Sequence, residues 1–167
     1  SWVYEALKEH PDILMPGIKP VSYFDAKYHH GLDWYRKVYA DYDGEEQVGD
    51  SSPGYLKNQQ APKRINNDLG ETKLLFCLRN PIDRAFSQWW MEYANGWITH
   101  EFINVFYHHP NYDRLIAPGF YADHLERWDQ YFDDDQIHVT LFDDFVDDNA
   151  AFAEDIYSFL SVDSTYE

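Results

Sequence analysis

At 167 residues, with 44% hydrophobic and 19% aromatic content, the chain is long enough for one packed core, too short for two comfortable domains and too apolar for disorder. Thirty acids against thirteen bases leave a net charge of −17; with no basic stripe to neutralise phosphates, a nucleic-acid partner is excluded. A single cysteine, Cys77, rules out an internal disulfide framework, and no apolar stretch approaches membrane-spanning length.

In chain order, Trp2, Val3, Ala6 and Leu7 recur at helical spacing until His10-Pro11 ends the run. An α/β domain rarely starts with a bare helix, so an upstream element is expected to be missing. Residues 21–24 read as a short strand or extended loop. Residues 31–39 read as a helix with Leu32, Tyr35 and Val38/Tyr39 on one face, and 47–49 as a short strand entering the turn Ser51-Ser52-Pro53-Gly54. A helix over 61–69 is closed by Gly70, a favourable C-cap residue.

The strongest strand covers 73–79. Its continuous apolar run predicts burial on both faces, as in a parallel sheet, and places Cys77 in the core. Asn80-Pro81 then starts a helix, with proline in the first turn where its missing N–H costs nothing; this helix carries Ala85, Phe86, Trp89, Trp90 and Tyr93. A looser segment over 95–118 is rich in aromatics and histidines. Residues 121–132 form an amphipathic helix with Leu125, Trp128 and Phe132 on one stripe. A strand over 137–142 and a helix over 150–160 complete the pattern. Strands alternating with helices predict an open α/β sheet in a single domain over 1–167.

The stretch Leu78-Arg79-Asn80-Pro81-Ile82-Asp83-Arg84-Ala85-Phe86-Ser87 carries chemistry. A buried strand delivers Arg79 to its carboxyl end, where open α/β sheets place ligands, and the N-terminal amides of the following helix face the same crevice. Ser87 follows two helical turns on, so a phosphate could bridge it to the arginine fork. Alternatively, Arg79 is a structural ion-pair partner and Ser87 an incidental helix residue.

Residues 73–87 resemble the 3′-phosphate-binding motif of sulfotransferases that use 3′-phosphoadenosine-5′-phosphosulfate (PAPS). Further stretches are similar in the same order: Gly49-Asp50-Ser51-Ser52-Pro53-Gly54-Tyr55; Ala61 with Arg64-Ile65; Gly119 and Tyr121 with Leu125, Trp128 and Phe132; and Leu141-Phe142-Asp143-Asp144-Phe145. The likeness is nearest the heparan-sulfate type and its bacterial and archaeal relatives. It implies a P-loop-NTPase-like open parallel sheet flanked by helices, here truncated at both ends. It also implies PAPS as sulfuryl donor, 3′-phosphoadenosine-5′-phosphate as product, and no metal. The acceptor would be a carbohydrate, glycolipid or other small molecule bearing a hydroxyl or amine. The family's Arg and Ser that match Arg79 and Ser87 bind the 3′-phosphate, and Ser1 matches the last residue of the 5′-phosphosulfate loop.

The resemblance also departs from the pattern. Where heparan-sulfate-type relatives carry a glutamate base and a histidine, this chain has Pro20 and Ser22. Sulfuryl transfer still needs a base for the acceptor hydroxyl. The remaining candidates are Asp25, Asp50 and His30, each of which reads equally as a capping or solvated residue. Lys19 reads as facing either the sulfonate or solvent. Trp89, Trp90, Tyr93 and Trp97 are either core or a sugar platform. His100, His108 and His109 lack a metal-ligand spacing. A non-catalytic nucleotide- or glycan-binding module of the same fold is the alternative reading, and a related P-loop nucleotide kinase a more distant one. Acidic runs such as 133–135 read as solvated surface, and the dispersed excess of acids resembles that of halophilic proteins. The compartment is expected to be the cytoplasm.

Overall fold

In the computed structural model, which describes residues 2–107 and 111–166, strands and helices alternate as the sequence predicts. Helix α1 (Trp2–Glu9) buries Tyr4, whose hydroxyl donates to the Pro16 carbonyl at 2.8 Å, and leads into β1 (Ile13–Leu14). Residues 21–24 form a turn and no strand, yet Val21, Tyr23 and Phe24 are buried. Their burial comes from packing against α2 (Leu32–Lys37), which Gly31 shortens at its start by taking φ 80°.

β2 (Gln47–Val48) leads into the turn before α3 (Ala61–Leu69). The bounds of α3 follow from local chemistry. The Asn58 side chain accepts the Gln60 and Ala61 amides at 2.8 and 3.0 Å, Pro62 sits in the first turn, and Gly70 ends the helix at φ 69°. That positive φ is one that glycine reaches without a Cβ clash.

β3 (Leu74–Leu78) runs into α4 (Pro81–Ala94). After 3-10 and π turns between 102 and 119 come α5 (Tyr121–Trp128), β4 (Ile137–Leu141), α6 (Phe142–Asp147) and α7 (Asn149–Leu160). Helix α6 has no counterpart in the sequence reading, because its acidic residues mask the short period. The Asp148 side chain caps α7 by accepting the Ala150 and Ala151 amides.

Among the described residues the strands form two separate parallel pairs. Ile13 and Leu14 of β1 lie opposite Gln47 and Val48 of β2, while β3 pairs with β4 from Leu74–Ile137 to Leu78–Leu141. The largest core cluster joins Val21, Tyr23, Phe24 and Tyr35 to Ile65, Leu74, Trp128 and Phe132. Burying each such side chain contributes roughly 1.5–3 kcal/mol. Smaller clusters tie α1 to α7 (Tyr4, Ile13, Met15, Tyr157, Val162) and α4 to the turns after it (Trp89, Ile98, Val105, Leu115).

A cavity of about 1340 Å³ is lined by Ile13 and Met15, by Gln47 to Lys57, and by every residue of β3. Its presence corrects one expectation. Leu74 and Leu78 are buried, but Cys77 is exposed. Among the described residues β3 pairs with β4 alone, so the apolar run is covered on one side and open to the cavity on the other.

Candidate functional site

Two strand ends present the polar groups of interest. At the carboxyl end of β3, Arg79 is half-buried, and its guanidinium lies 5.2 Å from the centre of the Phe142 ring. Among the described residues it meets no carboxylate, although acids outnumber bases by thirty to thirteen. Ser87 is exposed on α4, with no hydrogen-bond partner among the described residues. The helix N-terminus departs from expectation. Its Ile82 and Asp83 amides are already taken by the Asn80 side chain, at 3.0 and 3.4 Å, so they are not free for a ligand. The positive group on offer is the Arg79 side chain itself.

At the carboxyl end of β2, Asp50 sits in a cage of hydroxyls. Its Oδ1 accepts from Ser52 at 2.5 Å, and its Oδ2 accepts from Tyr55 at 2.8 Å and Tyr35 at 3.3 Å. Tyr39 donates in turn to the Tyr35 hydroxyl at 3.1 Å. The cage fixes the neighbouring loop as well. Ser52 Oγ accepts the Ser22 amide at 2.9 Å, and Tyr55 accepts the Phe24 amide at 3.3 Å. Ser22 is thereby held at φ 57°, a left-handed conformation that costs a non-glycine residue free energy. Burial pushes the Asp50 carboxyl above the usual carboxylate range against the pull of its three donors, and Asp25 adds a smaller push. Burial, followed by the Asp50 charge, raises Tyr35, Tyr39 and Tyr55, so all three stay protonated donors.

Asp25 is half-buried on the same side. One oxygen accepts the Ala26 amide at 2.5 Å, and the other lies against Gly54 so closely that a Cβ there would not fit. Glycine at 54 is thus what lets the two loops meet. The structure brings Asp25 and Asp50 within electrostatic reach of each other. His30 stands apart: it is exposed and stacked at 5.0 Å on Trp34. Lys19 lies 4.0 Å over the Tyr4 ring. Ser1, His108 and His109 fall outside the described residues, within which no group of His, Cys, Asp and Glu is arranged to hold a metal.

The sequence reading missed a polar row on α4, of which Arg84 and Gln88 border the cavity. Arg84, Gln88 and Glu92 lie at i, i+4 and i+8 on α4, linked by Arg84–Gln88 at 3.0 Å and Gln88–Glu92 at 3.2 Å. Arg84 also donates to the Leu115 carbonyl, and Arg114 pairs with the buried Glu92. Arg84 Nε is buried without a partner among the described residues, and burial lowers the pKa of that guanidinium. The i, i+4, i+8 recurrence of Arg84, Gln88 and Glu92 along α4 was the available signal. The hydroxyl cage had none, because Tyr35 and Asp50 meet only in the folded chain.

Comparison with known proteins fits this layout. A family model described as the sulfotransferase domain matches residues 1–167. Heparan sulfate glucosamine 3-O-sulfotransferase 6 of Mus musculus is 32% identical over 134 residues, covering 77% of this chain and 39% of the relative. Heparan sulfate glucosamine 3-O-sulfotransferase 3B1 of the same organism is 28% identical over 164 residues, 95% of this chain and 42% of the relative. This chain therefore spans about two fifths of these relatives' length. A sulfotransferase crystal structure from Alicyclobacillus acidocaldarius superposes with a TM-score of 0.87 at 25% identity, covering 96% of this chain and 75% of that one. With the family model matched end to end and the strand-helix layout shared with a solved member, the chain belongs to the sulfotransferase domain family.

Proposed function

We propose that this chain carries the 3′-phosphate half of a PAPS site and the base of a sulfotransferase acting on a carbohydrate hydroxyl or amine. The observation that carries the reading is Arg79: a strand-end arginine with no carboxylate partner among the described residues, in a chain rich in carboxylates, two turns ahead of the exposed Ser87 hydroxyl. Its planar fork suits a phosphate dianion, and Ser87 adds a neutral donor on the next exposed turns of α4. The heparan sulfate named for the curated relatives supports a carbohydrate acceptor.

In the reaction, the acceptor oxygen attacks the sulfur of PAPS in line. The S–O bond to the 5′-phosphate breaks, and 3′-phosphoadenosine-5′-phosphate leaves. Asp25 is the proposed base. Its second oxygen accepts no hydrogen bond among the described residues but packs against Gly54, so the half-buried side chain has to turn from that glycine to take the acceptor proton. Burial raises the proton affinity of Asp50, but both of its oxygens already accept hydroxyls. It is a positioning residue that holds the 22–25 loop. His30 contacts neither carboxylate and is left out of the chemistry. The single cysteine suits a reducing compartment, and the cytoplasm is the compartment proposed.

The test is made in the full-length protein. Arg79→Ala is expected to weaken binding of 3′-phosphoadenosine-5′-phosphate by at least about tenfold, the scale of a charge-assisted bond; unchanged affinity in calorimetry makes the clamp assignment wrong. Asp25→Asn is expected to keep that affinity and lose turnover of radiolabelled sulfate. Full turnover in that variant rejects Asp25 as base. A second reading is favoured by Pro20 and Ser22, which stand where heparan-sulfate-type relatives have an acid and a histidine: a binding module without transfer chemistry. Any turnover by the wild-type protein rules that module out.

A further inference from the structure

The side chain of Arg79 leans on a ring, and the strand register says why that ring is there. In the parallel β3–β4 pair the last partners are Leu78 and Leu141, so Arg79 and Phe142 leave the pair side by side at the same carboxyl end. The guanidinium lies over the Phe142 ring with its Cζ 5.2 Å from the ring centre, inside the range of a cation–π contact. Phe142 opens α6 and is half-buried. Its own position is fixed from behind. Phe145, one turn on, lies 5.7 Å from it, 4.4 Å from Trp2 of α1 and 5.7 Å from Phe152 of α7. The acids that follow Phe142 in α6, Asp143 and Asp144, are exposed and pair with no cation among the described residues.

The kind of partner matters for an anion site. A carboxylate would fix the guanidinium by accepting its N–H groups, and would cancel its charge before a phosphate arrived. An aromatic face attracts the cation through its quadrupole and offers no lone pair. It restrains the side chain while the N–H donors stay available. An arginine restrained before binding loses less rotamer freedom when the phosphate docks, which favours affinity. Leucine at 142 would fill similar space without that attraction.

We propose that Phe142 is a positioning residue for the nucleotide's 3′-phosphate: its ring holds the Arg79 guanidinium at the strand end and leaves the N–H groups free for the anion. The inference rests on the Arg79 clamp proposed above and adds the residue that orients it.

The full-length protein is titrated by calorimetry with 3′-phosphoadenosine-5′-phosphate and with adenosine 5′-phosphate, which lacks the 3′-phosphate. Wild type is compared with Phe142→Leu, Phe142→Tyr, Arg79→Ala and Arg79→Ala combined with Phe142→Leu. Phe142→Leu is expected to weaken the bisphosphate by about three- to tenfold, the scale of a half-buried cation–π contact, and to leave the monophosphate within about twofold. Phe142→Tyr keeps the ring and should bring bisphosphate affinity within about twofold of wild type. On the Arg79→Ala background, Phe142→Leu should change affinity by less than about twofold, because the group it positions is gone.

A ring that touched the nucleotide itself, or served the fold alone, would weaken both nucleotides alike, and that result overturns the proposal. So does a Phe142→Leu loss that survives in Arg79→Ala, a tyrosine that fails to rescue, or an unmoved bisphosphate affinity in Phe142→Leu. If Arg79→Ala weakens the bisphosphate and Phe142→Leu does not, only the positioning role falls. If Arg79→Ala is without effect, the clamp falls and the positioning role with it.

Discussion

Replacing Tyr55 with phenylalanine deletes one hydroxyl from the Asp50 cage and leaves the ring in place. That hydroxyl donates to Asp50 Oδ2 at 2.8 Å and accepts the Phe24 amide at 3.3 Å. A hydrogen bond to a carboxylate contributes about 1.5–3 kcal/mol, and an orphaned buried amide costs roughly 1–3 kcal/mol. The two losses share one atom and do not simply add, so about 3 kcal/mol is the expected destabilisation. For a domain of this size that corresponds to a melting temperature lower by roughly 6–12 °C.

The loss should also depend on pH. Burial raises the folded pKa of Asp50, so the folded chain holds this proton more tightly than the unfolded chain does. The Asp50 contribution is therefore complete below the unfolded carboxylate pKa, falls as pH rises toward the folded value, and is level above it. Removing a donor that favours the charged form deepens that fall, so wild type and Tyr55→Phe should differ least near pH 4 and most near neutrality. Thermal melts of both proteins across that range test this. A difference below about 2 °C, or one that is the same at both ends, refutes the cage as an electrostatic unit.

Two further outcomes follow from the same structure. Asn80→Ala frees the Ile82 and Asp83 amides and should cost about 1 kcal/mol in chemical denaturation; no loss would mean that the cap is idle. Molar potassium chloride should raise the melting temperature by screening repulsion among the thirty acids. A melting temperature that stays level or falls with salt rejects halophilic adaptation.

What could be read from sequence was what short-range chemistry decides. The Asn80-Pro81 start of α4 follows from a cap and a fixed φ, and the end of α3 from Gly70, each beside the helix end it sets. Arg79 could be placed at a strand end for the same reason. The Asp50 cage could not, because its donors come from residues 35, 52 and 55 and its effect is felt at Ser22 and Phe24. The role proposed for Asp50 follows from that cage, whose hydroxyls accept the Ser22 and Phe24 amides of the loop before Asp25.

Cys77 went astray for the opposite reason. A continuous apolar run reports that a strand is meant to be covered, and it is silent on what covers it. All five residues of β3 border a cavity of about 1340 Å³ whose other wall includes β1 and β2. Protein interiors close voids far smaller than this, and ligand pockets run to roughly 300–1,000 Å³. The apolar strand and the cavity therefore express one requirement. Asp50 and its partners Ser52, Tyr55 and Tyr35 border that space, which the β1–β2 and β3–β4 pairs flank without filling. Stability and site chemistry meet there: whatever occupies the cavity covers the open side of β3 and lies against the Asp50 cage.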